Sequence, residues 1–189
     1  MIKTIARFSG YLHAAATLKM VVLAFIAHIV FAMIIIPKSQ YLIDASQTHT
    51  ILEWRFGYSS LQIHELFEEI GINGRKAYLL YVLVIDNLYA LIYSISFSLL
   101  LSLFFRNSFS KTHYIQYFNC FPFLVGFSDI LENVSVSSLI FMHPIESIIT
   151  GKLASFFSLV KWGCTIYNLL LLMTGMFAWL MKSLLLRKK

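Results

Sequence analysis

The sequence is short of charge, of proline and of cysteine, and each shortage removes a class of protein. Of its 189 residues only 13% are charged and 59% are hydrophobic, with a mean hydropathy of +0.76. A soluble domain carries about 25% charged residues, and half that number cannot cover the apolar surface of a chain this size. The aromatic and aliphatic load excludes disorder, and the composition is that of an integral membrane protein. Nine acids stand against fifteen bases, a net charge of +6. That excess comes from few acids rather than from a dense basic face, so no nucleic-acid partner is expected. The two cysteines, Cys120 and Cys164, form no C-x-x-C pair. This excludes a disulfide scaffold and a thiol redox centre and leaves small core residues. With three prolines, no repeat and no linker-like tract, a single domain over 1–189 is expected.

What the sequence does have is four apolar stretches, at about 18–37, 77–105, 114–142 and 153–181. Crossing a hydrocarbon core of about 30 Å takes roughly 20 helical residues, so the expected fold class is all-α, a four-helix transmembrane bundle. The last three stretches exceed the minimum and are expected to tilt or to extend beyond the hydrocarbon. The first follows Lys3, Arg7 and Lys19 as a signal peptide would. Its long apolar run, His28, and the lack of a small-x-small site after Pro37 predict retention instead.

Basic residues are retained on the cytoplasmic side of a membrane. With four spans, the two termini and the loop between spans two and three share one side. That side carries Lys3, Arg7, Lys19, Arg106, Lys111, Lys182, Arg187, Lys188 and Lys189 and no acid. The opposite side carries Lys38, Arg55, Arg75, Lys76 and Lys152 with Asp44, Glu53, Glu65, Glu68, Glu69 and Glu146. The expected location is therefore the cell (inner) membrane, multi-pass, with both termini cytoplasmic. The tail Arg187, Lys188, Lys189 reads as a topology anchor at anionic lipid.

Between spans one and two, Ser59-Ser60-Leu61-Gln62 has the form of a capping box. Ile63, Leu66, Phe67 and Ile70 then share one face, opposite Gln62, Glu65, Glu68 and Glu69. This predicts a short amphipathic helix over about 60–70 on the outer side, ended by Gly71 and Asn73-Gly74. Its acidic face disfavours anionic lipid, so packing on the bundle mouth is expected.

Charged groups at membrane depth cost at least about 2.5 to 3.5 kcal/mol each on insertion scales, and they are commonly paired and functional. Here they are His28 in span one, Asp86 with Asn87 in span two, Asp129, Glu132 and Asn133 in span three, and Lys161 in span four. At about 1.5 Å per residue from the outer ends, His28, Asp86, Glu132 and Lys161 all lie about 12 to 15 Å deep. Residues 129, 132 and 133 share a helix face, whereas Asp86 and Asn87 point apart, so Asn87 is expected to bind a neighbouring helix. One lysine neutralises one carboxylate, and at least one further carboxyl is expected to carry a proton, shared with His28 or another carboxylate.

Tyr89, Tyr93, Trp162 and Tyr167 lie near enough in sequence to line an apolar cavity with polar tips. Pro122 and Gly126 predict a kink or a close helix approach below Asp129. Ser94, Ser96, Ser98 and Ser102 are expected to bond back to their own helix. His28, Asp86, Asp129 and Glu132 offer metal-ligand types, but none at a recognised pair spacing, and the sequence names no metal or other cofactor. The expected function is binding or transforming a small amphipathic or lipid-like molecule from the bilayer. The competing readings are a structural or assembly subunit whose polar cluster fixes helix packing, and a proton-coupled or cation-binding transport component, which would need a second half or a partner.

Asp129-Ile-Leu-Glu-Asn133, with Arg55-Phe56-Gly57-Tyr58, Gly74-Arg75, Tyr78 leading to Asp86, and Lys161-Trp162, resembles a group of small bacterial four-span membrane proteins of no known activity. The likeness runs from Glu53 to the end of span four. It implies the bundle and the polar positions, and it implies no reaction.

Overall fold

The computed structural model describes residues 2–45 and 51–187; Lys188 and Lys189 of the expected basic anchor lie outside them. The protein is 88% helical, without strands among the described residues. Four helical stretches are long and apolar enough to cross a membrane: Leu18–Ile43, Gly71–Ser108, Tyr114–Met142 and Ile148–Leu185. The protein is an all-α, multi-pass membrane bundle. Three spans outrun the apolar stretches that announced them, because a helix continues through polar residues at its ends while the hydropathy signal stops at the hydrocarbon.

An unanticipated helix, α1 (Ile2–Ala15), precedes the first span. Ser9 Oγ donates to Gln116 O at 3.1 Å, and Asn119 Nδ2 donates back to Ser9 O at 3.2 Å. Arg106 donates to His13 O and Ala16 O at 2.8 and 3.0 Å, satisfying carbonyls that a helix end leaves open. Thr17 then caps α2 (Leu18–Val30) by accepting from Met20 N. A π-helical turn, Phe31–Ile35, joins α2 to α3 (Ile36–Ile43).

At the far end, Ser59 and Gln62 form the expected capping box of α4 (Ser60–Glu69), with Ile63, Leu66 and Phe67 buried. Gly71 ends it at φ +64°, a conformation open to glycine. Asn73-Gly74 does not end the helix as expected. Both lie inside α5 (Gly71–Leu80), where a Cβ on Gly74 would come within 2.7 Å of Ile43 O, so that glycine serves a close approach of α5 to α3. A second π-helical turn, Tyr81–Asp86, leads into α6 (Asn87–Ser108).

Span three begins as a 3₁₀ helix, Tyr114–Cys120, and Pro122 occupies the first turn of α7 (Pro122–Met142). The expected kink at Pro122 is thus a helix start, where proline's missing N–H costs nothing. Gly126 does mark a close approach: a Cβ there would lie 2.2 Å from Ser94 Oγ and 2.9 Å from Ala90 O. Ser94, Ser96 and Ser102 of α6 bond back to their own helix, at Ala90 O, Ile92 O and Ser98 O, whereas the expected bond of Ser98 does not form and its Oγ is buried without a partner. Ser94 and Ser96 also bond to neighbouring helices, at Pro122 O and Ala24 O respectively. The long α8 (Ile148–Arg187) completes the bundle.

Candidate functional site

The segment before α4 is folded back along one face of α8. Ser158 Oγ donates to Arg55 O at 2.8 Å, Tyr58 N donates to Ser155 Oγ at 2.9 Å, and Lys161 Nζ donates to Glu53 O at 3.1 Å. Gly57, at φ +76°, lets the strap lie against α8: a Cβ there would meet Ser155 Oγ at 3.1 Å and Leu159 at 3.2 Å. This places Glu53, 6% exposed, and Tyr58, 8% exposed, inside the protein.

Around them the intramembrane polar residues converge. Lys161 Nζ lies 2.6 Å from Glu132 Oε2 and 3.1 Å from Asp129 Oδ1. Each carboxylate also accepts from a tyrosine: Glu132 from Tyr58 at 3.0 Å, Asp129 from Tyr93 at 2.9 Å, Asp86 from Tyr81 at 3.2 Å and Glu53 from Tyr78 at 2.7 Å. The Asn133 amide donates both to Asp86 Oδ2, at 3.1 Å, and to Asn87 Oδ1, at 3.0 Å. Asp86 and Asn87 therefore meet one partner although they are adjacent in sequence. A π-helical turn ends at Asp86, and such turns occur frequently at functional sites.

A cavity of about 190 Å³ opens beside this network. Glu53, Asp86, Asp129 and Lys161 supply its charged wall, and Tyr81, Tyr89, Tyr93, Phe97 and Trp162 its aromatic walls. His28 joins them from α2, stacked on Tyr89 with ring centres 5.6 Å apart. Its Nδ1 is buried without a hydrogen-bond partner, so no carboxylate bond to that atom forms. Trp162 Nε1, Glu53 Oε1 and Asn168 Oδ1 are likewise buried and unpartnered, on residues that line the cavity. Glu132 and Asn133 are fully buried and stand behind the lining. Tyr167, expected in the lining, is 42% exposed and packs its ring against Phe121, 4.9 Å away.

Sequence reasoning left Glu53 on the outer surface and gave Tyr58 no role in the site. Burial, together with nearby Asp86 and Glu132, pushes the Glu53 carboxyl well above its ordinary range. Burial and the same kind of acidic neighbours push the Tyr58 phenol up, keeping it a donor. A signal for the strap does exist in span four, where Ser155, Ser158, Lys161, Thr165 and Asn168 form a polar stripe at helical spacing. Cys120 and Cys164 are free thiols, both partly buried. No protein-family model, curated protein or solved structure matches this chain.

Proposed function

We propose that this protein binds or transforms a small amphipathic or lipid-like molecule, whose polar end sits against Glu53, Asp86, Asp129 and Lys161. The observation that carries the proposal is the cavity itself: about 190 Å³, above the roughly 150 Å³ at which an apolar protein interior accepts a benzene-sized guest. It holds a headgroup-sized moiety rather than a whole lipid, so a longer tail must leave through the side of the bundle. Spans one and four leave that route: 11% and 17% of their most apolar windows are buried, and they contribute His28 and Trp162 to the lining. Acidic groups outnumber the single lysine, which favours a polar end rich in hydrogen-bond donors, such as an amine or a hydroxyl.

The structural reading has its own support, and it divides the cluster. Glu132 and Tyr58 serve to hold α7, α8 and the strap together, and Asn133 ties α7 to Asp86 and to Asn87 of α6. Glu53, Asp86 and Trp162 face the cavity and serve the ligand. Of the segments that carry the resemblance to small bacterial four-span proteins, those containing Tyr58, Tyr78 to Asp86, Asp129 to Asn133 and Lys161-Trp162 supply residues to this cluster, whereas Gly74 and Arg75 pack against Ile43 and Phe67. The charge asymmetry supports an orientation with α4 on the extracytoplasmic side and the termini in the cytoplasm.

The test is mass spectrometry of lipids and metabolites that copurify with the detergent-solubilised protein, compared with Asp86→Asn and Trp162→Ala. A species enriched with the wild-type protein and reduced about tenfold in both variants is expected. Equal recovery from all three proteins and from an unrelated membrane protein would leave only the packing role.

A further inference from the structure

Away from this cavity, at the α4 end of the bundle, three ligand-type side chains converge from two elements. His64 and Glu68 lie four residues apart on α4 and therefore on one helix face. His143 caps the C-terminus of α7, where the chain turns towards α8. Its ring lies 5.7 Å from that of His64 and 5.9 Å from Phe67. One ligand atom from each of His64, Glu68 and His143 falls within 4.8 Å of the others.

We propose that His64, Glu68 and His143 bind one divalent transition-metal ion of the zinc class. His143 has a side chain only 9% exposed, and its Nε2 lies 3.0 Å from Glu68 Oε1. Two ligands on one tetrahedral zinc, each about 2.0 to 2.1 Å from it, stand roughly 3.3 Å apart. The pair is thus spaced as co-ligands of one ion would be. A small cavity of about 20 Å³ lies beside the cluster, bordered by His64, His143 and Glu146 but not by Glu68. A space above roughly 10 to 15 Å³ holds one water-sized particle. Glu146 Oε1 lies 3.6 Å from His64 Nδ1, a second carboxylate at the edge of the cluster.

Two imidazoles with a carboxylate suit zinc, copper(II) or nickel(II), whereas magnesium and calcium prefer oxygen alone. His64 and Glu68 are 33% and 58% exposed in their side chains, so an ion can enter from the aqueous side and keep a water as its remaining ligand. Bound there, it clips the amphipathic helix to the turn between spans three and four. The sequence concealed the site because the third ligand is far from the H-x-x-x-E pair, and their meeting depends on the docking of α4.

The test uses the full chain in detergent, free of any polyhistidine tag and stripped with a chelator. Zinc is titrated against a chromophoric zinc indicator, and cobalt(II) is added separately for its visible spectrum. One zinc per chain is expected, with a rise of several degrees in Tm and a four-coordinate cobalt spectrum. The exposed-side changes His64→Ala and Glu68→Gln should weaken zinc binding about tenfold or more and remove the Tm rise, while helical content by circular dichroism stays unchanged. His143→Gln should do the same. Zinc uptake by the wild-type protein no greater than by His64→Ala, or the same affinity in all variants, would overturn the proposal. Neither result bears on the cavity.

Discussion

At the scale of single residues, Glu53 has the largest consequence for how the protein responds to pH. Its carboxyl is raised well above the ordinary 4.5 by burial first and then by Asp86 and Glu132, with Lys161 and the Tyr78 hydroxyl opposing. A group raised in the folded state contributes stability that is present below its unfolded value and is lost as pH climbs through its folded value. Each unit of upward displacement corresponds to about 1.4 kcal/mol at the alkaline end. Glu53→Gln removes the titration while leaving an acceptor for Tyr78. The Tm of the wild type in detergent should therefore fall relative to Glu53→Gln as pH is raised from about 5 to about 9. A constant difference across that range would show that Glu53 does not titrate there. Lys161 has the complementary role. With Glu132 at 2.6 Å and Asp129 at 3.1 Å, it offsets two buried carboxylates, and removing one partner of such a cluster typically costs about 3 to 5 kcal/mol.

Among the elements, the contact between α6 and α7 sets how closely the site can assemble. Gly126 lies against Ser94 so tightly that an added Cβ would sit 2.2 Å from its Oγ, and Asp129, one turn on, reaches Tyr93 of α6. Gly126→Ala is expected to cost about 1 to 3 kcal/mol, the usual range for overpacking. Because the nearest atom is a side-chain oxygen, Ser94→Ala in the same protein should recover part of that loss, giving a coupling of at least about 0.5 kcal/mol in a double-mutant cycle. Unfolding in mixed micelles measures both, and additive losses would place the obstruction at Ala90 O instead. The strap over residues 52–58 is the other decisive element. It has no regular structure beyond one 3₁₀ turn, Leu52–Trp54, and its position depends on Ser155, Ser158 and Lys161 of α8. Pattern reading works on periodic segments, so it found α4 and its capping box and missed the strap beside it.

For the whole molecule, the end bearing α4 gathers the acids and the opposite end has bases only. Arg106 closes α1 there, and Lys182 Nζ donates to Asn107 O at 2.8 Å. The expected orientation puts that basic end in the cytoplasm. A reporter fused to the C-terminus that fluoresces only in the cytoplasm should be active, while one at residue 146 should not. The opposite pattern would invert the membrane side assigned to the cavity and to the His64–His143 cluster together.

The sequence by itself determined the all-α class of this protein and its four stretches long and apolar enough to cross a membrane. Hydropathy and a rise of about 1.5 Å per residue act along each helix separately, and from them His28, Asp86, Glu132 and Lys161 are expected at one level. Rotation about each helix axis, and the path of the irregular segment, depend on contacts between distant parts of the chain. Only the tertiary structure therefore decided that Glu53 is inside, that Tyr167 turns away, that Asn133 bridges Asp86 and Asn87, and that His143 meets α4. Side chains at one depth become one site only when the helices carrying them are turned inward. That turning is set by close packing, here at Gly126 against Ser94 and Gly57 against α8.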